Sequence, residues 1–218
     1  MVKVKICGIT TLSDALAAAG AGADLLGLNF FRNSPRFIET EAAALIAAEL
    51  RAALGADCPL LVGLFVNEAL GRISTTMESV GFKAVQLSGD ESPELLRELR
   101  RTAYKAIRPQ SPVEAASDAA LFDLLGPDDD RLPSLLVDAF HPGLYGGTGA
   151  TTPAEVFGAV KGQRVMLAGG LTPDNVGERV EQLQPWGVDV ASGVEFEGQP
   201  GRKDPAKMRA FVDAVKRR

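Results

Sequence analysis

The amino-acid sequence predicts a closed (β/α)8 TIM-type barrel formed by one domain over residues 1–218, and three observations carry that prediction. Eight short runs rich in Val, Ile and Leu alternate with longer segments whose apolar residues recur at helical spacing, the pattern of consecutive βα units around a parallel sheet. No linker rich in Gly, Ser or Pro divides the chain. Eight such units in 218 residues suit a closed barrel better than an open doubly wound sheet.

Strand one is residues 2–7, ending on Cys7, and the helix after it offers Leu12, Leu16 and Ala19 as a buried stripe. Strand two, 25–28, is followed by a long loop, 29–36, and by a helix with Ile46, Leu50, Ala53 and Leu54 on one face. Strand three, 60–65, starts after Cys58-Pro59 and leads to the stripe Ile73/Met77/Val80. Strands four and five are 84–87 and 104–107; the fifth unit is the weakest, because residues 113–125 run into the loop 126–133. Strand six, 135–138, ends on Asp138. Strands seven and eight, 165–168 and 188–191, flank a helix marked by Val176, Val180 and Leu183, and the last helix carries Met208, Phe211, Val212 and Val215. Each stripe is wide enough to bury one helix face against a sheet. Thr152-Pro153, Thr172-Pro173 and Asp204-Pro205 each place a capping side chain before a proline, the signature of a helix start.

Composition narrows the function. With 46% hydrophobic residues the chain can bury one sizeable core, and a net charge of -5 argues against nucleic acid as a partner. There is no long run of like charge beyond short ones such as Asp128-Asp129-Asp130. The N-terminus carries lysines inside a short apolar run, unlike a secretory signal, and no stretch of about eighteen apolar residues occurs, so a cytoplasmic location is expected. Two cysteines, Cys7 and Cys58, make no disulfide framework, and a single histidine, His141, leaves little basis for a zinc site or a Ser-His-Asp triad. His141 reads as a loop residue, and Cys58, at the other end of the barrel from Cys7, as structural.

In such barrels ligands meet the C-terminal ends of the strands, with phosphate commonly held after strands seven and eight. Cys7, the loop 29–36, Asp138, Gly146-Gly147-Thr148-Gly149, Gly169-Gly170 and Ser192-Gly193 all fall there. The glycines let backbone N–H groups approach a phosphate dianion, and the helix start at Thr172-Pro173 adds a favourable dipole. A free cysteine is often an inert core residue, but the helix start that follows Cys7 is expected to lower its pKa and favour the thiolate. Asp138 closes the apolar run Leu135-Leu136-Val137, where partial desolvation would raise its pKa and suit a general acid; its alternative is a cap for the following loop. Arg36 is either a solvated arginine or a planar fork for a substrate carboxylate. On these residues alone the chain is a phosphosugar isomerase or lyase, or a catalytically silent binder of phosphorylated ligands.

The strings themselves resemble a known family: Lys5-Ile6-Cys7-Gly8-Ile9-Thr10, Asn33-Ser34-Pro35-Arg36-Phe37, Val62-Gly63-Leu64-Phe65-Val66-Asn67 and Val85-Gln86-Leu87-Ser88-Gly89-Asp90-Glu91, then Pro142-Gly143-Leu144-Tyr145-Gly146-Gly147-Thr148-Gly149, Leu167-Ala168-Gly169-Gly170-Leu171-Thr172-Pro173 and Val188-Asp189-Val190-Ala191-Ser192-Gly193-Val194-Glu195. In order and over nearly the whole length, the chain is similar to the phosphoribosylanthranilate isomerases of tryptophan biosynthesis. The resemblance implies an Amadori rearrangement of a small phosphorylated substrate without cofactor or metal, with Asp138 as general acid and Cys7 as general base. It further implies that Arg36 holds the anthranilate carboxylate, that Gly149, Gly169, Gly170, Ser192 and Gly193 hold the phosphate, and that Ser88 and Asp189 line the site. One position departs from the pattern: Ser88 stands where the family usually carries histidine, so an altered affinity or pH optimum is expected. The segment 196–202 is also untypical of the family. Oligomeric state is not legible in the sequence.

Overall fold

Strand β1 (Lys3–Cys7) pairs in parallel with both β2 (Leu25–Asn29) and β8 (Gly187–Val190), and that double pairing closes the sheet on itself. The ring continues in chain order through β3 (Leu60–Phe65), β4 (Ala84–Leu87), β5 (Ala103–Ile107), β6 (Leu135–Val137) and β7 (Val165–Leu167). A computed structural model describes residues 1–140, 151–160, 162 and 164–217. Every strand begins and ends within one residue of its expected run. Outside the ring lie α1 (Leu12–Ala21), α2 (Thr40–Leu54), α3 (Leu70–Val80), α4 (Pro93–Glu98), α5 (Pro112–Phe122), α6 (Ala154–Ala159), α7 (Val176–Leu183) and α8 (Pro205–Lys216). The closed (β/α)8 barrel is therefore the architecture of the described residues.

Alternation along each strand sorts the core into two layers. On β1, Val4 and Ile6 join the cluster between sheet and helices, while Lys3, Lys5 and Cys7 have the opposite parity and face the lumen. The lumen is filled by Leu25, Val62, Ala84, Tyr104, Leu136 and Met166, with Cys7, Leu64 and Val66 packed above them. Met208, Phe211, Val212 and Val215 of α8 are all buried, each contributing about 1.5–3 kcal/mol of apolar transfer free energy.

The helix stripes need two corrections. On α1 the buried face is Ala15, Ala18 and Ala21 with Asp14, whereas Leu16 is 37% exposed. Small side chains let α1 sit close to the sheet and to α8, and this proximity overrides the larger leucines. On α2, Ala43, Ile46, Ala47 and Leu50 are buried and Ala53 is exposed.

Of the three expected caps, only Asp204 acts as one, accepting from the N–H groups of Ala206 and Lys207. The hydroxyl of Thr152 donates instead to the Ala168 carbonyl at 2.9 Å. Helix α7 begins three residues after Pro173, and Asn175 organises the turn before it: its Oδ1 accepts from Thr172 N–H and its Nδ2 donates to the Gly170 carbonyl. Cys58 is half-buried at the N-terminal end of β3. His141 and 146–149 lie outside the described residues.

Candidate active site

Two adjoining cavities open at the C-terminal ends of the strands. The larger, about 150 Å³, is lined by Cys7, Arg36, Gln86, Ser88, Asp138 and Asp189, among others. The smaller, about 50 Å³, is walled by Gly169, Gly170, Ser192 and Gly193 and shares Asp138, Asp189 and Ala191 with the first. The site residues singled out in the sequence thus meet at one mouth, except the run 146–149 with Gly149, which lies outside the described residues.

Cys7 ends β1 with 5% of its surface exposed, and its thiol sits over Gly27 of the neighbouring strand. A Cβ at Gly27 would lie 2.7 Å from Sγ, so only glycine leaves room for the sulfur there. Burial pushes the thiol pKa up; the Lys5 ammonium opposes this, Asp189 adds to it, and Lys203 opposes it. The expectation of a thiol lowered by the following helix start is corrected accordingly, because desolvation outweighs the favourable charges.

Asp138 follows β6 and is half-buried. Burial lifts its pKa to about 6, assisted by Asp189 and resisted by the Ala139 N–H, by Arg108 and by Lys5. That N–H donates to Asp138 Oδ1 at 2.8 Å. A carboxyl group in this range can carry a proton near neutral pH, as a general acid must.

Arg36 reaches the cavity from the loop after β2, its stem packed against Gly8. A side chain at Gly8, which has φ +76°, would put a Cβ 2.5 Å from Arg36 Cδ. The guanidinium is not solvated: Nε and Nη2 donate to the two carboxylate oxygens of Glu195 at 2.7 and 2.8 Å. Nη1 makes no hydrogen bond among the described residues. Ser88 is 6% exposed and ends a neutral chain in which Tyr104 donates to Gln86 Oε1 and Gln86 Nε2 donates to Ser88 Oγ. Gly169 and Gly170 have positive φ, and Gly193 abuts the Leu171 carbonyl, leaving no space for a side chain.

Sequence reasoning missed three polar residues of this region. Lys5 is fully buried and donates to Asp189 Oδ1 at 3.0 Å, across the β1–β8 seam where the two residues are in register. Burial lowers the lysine pKa, but Asp189, Cys7 and Tyr104 together drive it above the ordinary lysine range. Its signal was present in the sequence: a lysine two residues before Cys7, on the same strand face, in a short run that is apolar apart from Lys3 and Lys5. Glu195 and Lys203, joined at 2.9 Å, had no comparable local signal.

The protein-family model described as N-(5'-phosphoribosyl)anthranilate (PRA) isomerase matches residues 4–214. The chain belongs to the N-(5'-phosphoribosyl)anthranilate isomerase family. It is accordingly an isomerase. An N-(5'-phosphoribosyl)anthranilate isomerase of Citrifermentans bemidjiense is 46% identical over 218 residues, covering 100% of this chain and 98% of that protein. The solved phosphoribosyl anthranilate isomerase of Thermotoga maritima superposes with a TM-score of 0.85 at 33% identity, covering 100% of both chains. Another solved member of the family, in complex with reduced 1-(o-carboxyphenylamino)-1-deoxyribulose 5-phosphate, superposes with a TM-score of 0.80 at 31% identity and the same coverage.

Proposed function

We propose that this chain converts N-(5-phosphoribosyl)anthranilate to 1-(2-carboxyphenylamino)-1-deoxyribulose 5-phosphate, an Amadori step of tryptophan biosynthesis, in the cytoplasm and without a cofactor. The observation that carries the reading is that Cys7 and Asp138, from strands one and six, face one cavity that continues into a second walled by glycines. An aldose-to-ketose shift needs one group to give a proton and another to take one across the reacting carbons.

Neutral Asp138 protonates the ring oxygen of the ribose as the C1–O bond breaks and the anilino nitrogen lone pair forms the Schiff base. Cys7, ionised against its burial with the help of the Lys5 ammonium, then takes the C2 proton as the thiolate, and the released electron pair forms the C1–C2 double bond while the imine nitrogen becomes an amine. The resulting enol tautomerises to the 2-ketose. Arg36, through its Nη1 side, holds the anthranilate carboxylate. The backbone around Gly169, Gly170, Ser192 and Gly193, with Gly149, holds the phosphate. Ser88 and Asp189 line the space between.

The test supplies N-(5-phosphoribosyl)anthranilate at saturation to the native chain and to Cys7→Ala and Asp138→Ala variants, following the loss of substrate fluorescence. Each variant is expected to lose about 100-fold or more in kcat, the usual contribution of a positioned acid or base. A Cys7→Ala protein as fast as the native one removes the thiol from the mechanism.

A further inference from the structure

The segment 196–202 returns the chain from the Ser192–Val194 turn to α8, and its two ends are tied together. Glu195 and Lys203 form an antiparallel bridge, Phe196 N–H donates to the Arg202 carbonyl at 3.0 Å, and Lys203 Nζ donates to Glu195 Oε1 and to the Ala191 carbonyl, each at 2.9 Å. The segment also lies against the Arg36 loop and the loop after β1: a Cβ at Gly201 would fall 2.8 Å from the Pro35 carbonyl, and Thr10 Oγ1 donates to the Gly201 carbonyl at 2.8 Å. Glu195 is 5% exposed and Lys203 1% exposed, so their ion pairs are shielded from water. Arg36 and Lys203 both contact Glu195, and the three side chains together carry one net positive charge.

We propose that Glu195 is a positioning residue for the carboxylate end of the substrate: it holds the Arg36 guanidinium in one orientation and ties it to the Ser192-Gly193 turn three and two positions earlier in the chain. The inference rests on the reading of Arg36 as the carboxylate anchor and deepens it. A bidentate carboxylate fixes the plane of a guanidinium as well as its place. With Nε and Nη2 engaged by Glu195, the remaining Nη1 side meets the ligand at a set distance from the glycine-walled cavity. The residual charge of the cluster matches one monoanion. Glu195 thereby fixes the spacing between the two charged ends that this site accepts.

The test measures inhibition by reduced 1-(o-carboxyphenylamino)-1-deoxyribulose 5-phosphate and by the same compound lacking the carboxylate, and takes the ratio of the two Ki values. In Glu195→Gln the preference for the carboxylated compound is expected to fall about 10- to 100-fold, the worth of hydrogen bonds to a charged group. Inhibition by the carboxylate-free compound and by inorganic phosphate stays within about 3-fold of native, well below that effect. A preference that is unchanged, or an equal weakening of both compounds, overturns the inference. The charge-balanced Glu195→Gln/Lys203→Met protein guards against a folding defect: it is expected to show the same lost preference, and recovery of the native ratio overturns the positioning role. Arg36→Met separates the two levels. If it keeps the native ratio, the reading of Arg36 fails and the inference with it; if it loses the ratio while Glu195→Gln keeps it, only the inference fails.

Discussion

Removing the buried charge of Lys5 by Lys5→Met is expected to make the Cys7 thiol harder to ionise. Lys5 and Cys7 share a strand face two residues apart, a spacing of about 6.6 Å along a strand. Two unit charges at about 6.6 Å interact by about 2.5 kcal/mol at an effective dielectric of about 20. That corresponds to about 1.8 pKa units, or about 60-fold in thiolate at any pH well below the pKa. The charged groups acting on Cys7 come from three elements: Lys5 on β1, Asp189 on β8 and Lys203 ahead of α8. Asp189→Asn therefore has to shift the thiol in the opposite direction, downward. The assay is the pH dependence of Cys7 alkylation by iodoacetamide, read on the isolated peptide by mass spectrometry, with half-buried Cys58 as internal control. Lys5→Met alone strands a buried carboxylate, which costs about 3–5 kcal/mol, so a Lys5→Met/Asp189→Asn protein is measured beside it. An unmoved alkylation midpoint in Lys5→Met, or shifts of the same sign in the two single variants, refutes the electrostatic account of this thiol.

Three further outcomes are expected. Because the folded protein holds the Asp138 proton up to about pH 6, above the unfolded pKa of about 3.9, its penalty is absent below about pH 4 and grows as pH rises through 6. Asp138→Asn should then raise the melting temperature more at pH 8 than at pH 4, with a gain of roughly 1–3 kcal/mol at the higher pH after allowance for its half-burial; an equal gain at both contradicts the shift. Gly27→Ala drives a methyl group against Cys7 Sγ and should cost about 1–3 kcal/mol in urea unfolding together with a marked loss of kcat. Ser88→His replaces the hydroxyl that accepts from Gln86 with a group titrating near 6.5, so the pH–rate profile should gain a limb there, and an unchanged profile removes Ser88 from any pH role.

Much of the fold is legible because strand runs of Val, Ile and Leu in a parallel sheet are buried on both faces and stand out from their surroundings. The helix faces were less legible. On α1 the leucines suggested one stripe while the alanines were buried, since close approach to the sheet selects small residues over large ones. The caps at Thr152 and Thr172 misled for a related reason: both lie in loops at the strand ends, where the Thr152 hydroxyl and Asn175 bond across to the carbonyls of Ala168 and Gly170.

The order of residues by itself determines eight strands and the end at which Cys7, Arg36, Asp138 and the glycine pairs gather, because alternation and chain direction are local properties. Only the tertiary structure decides the electrostatics of that end. Lys5 meets Asp189 across 184 positions, and Arg36 meets Glu195 across 159, contacts made between the two ends of the chain where the barrel closes. The pKa of Cys7 likewise depends on how deeply closure buries it and on which charges closure brings beside it, and neither is a property of the strand that carries it.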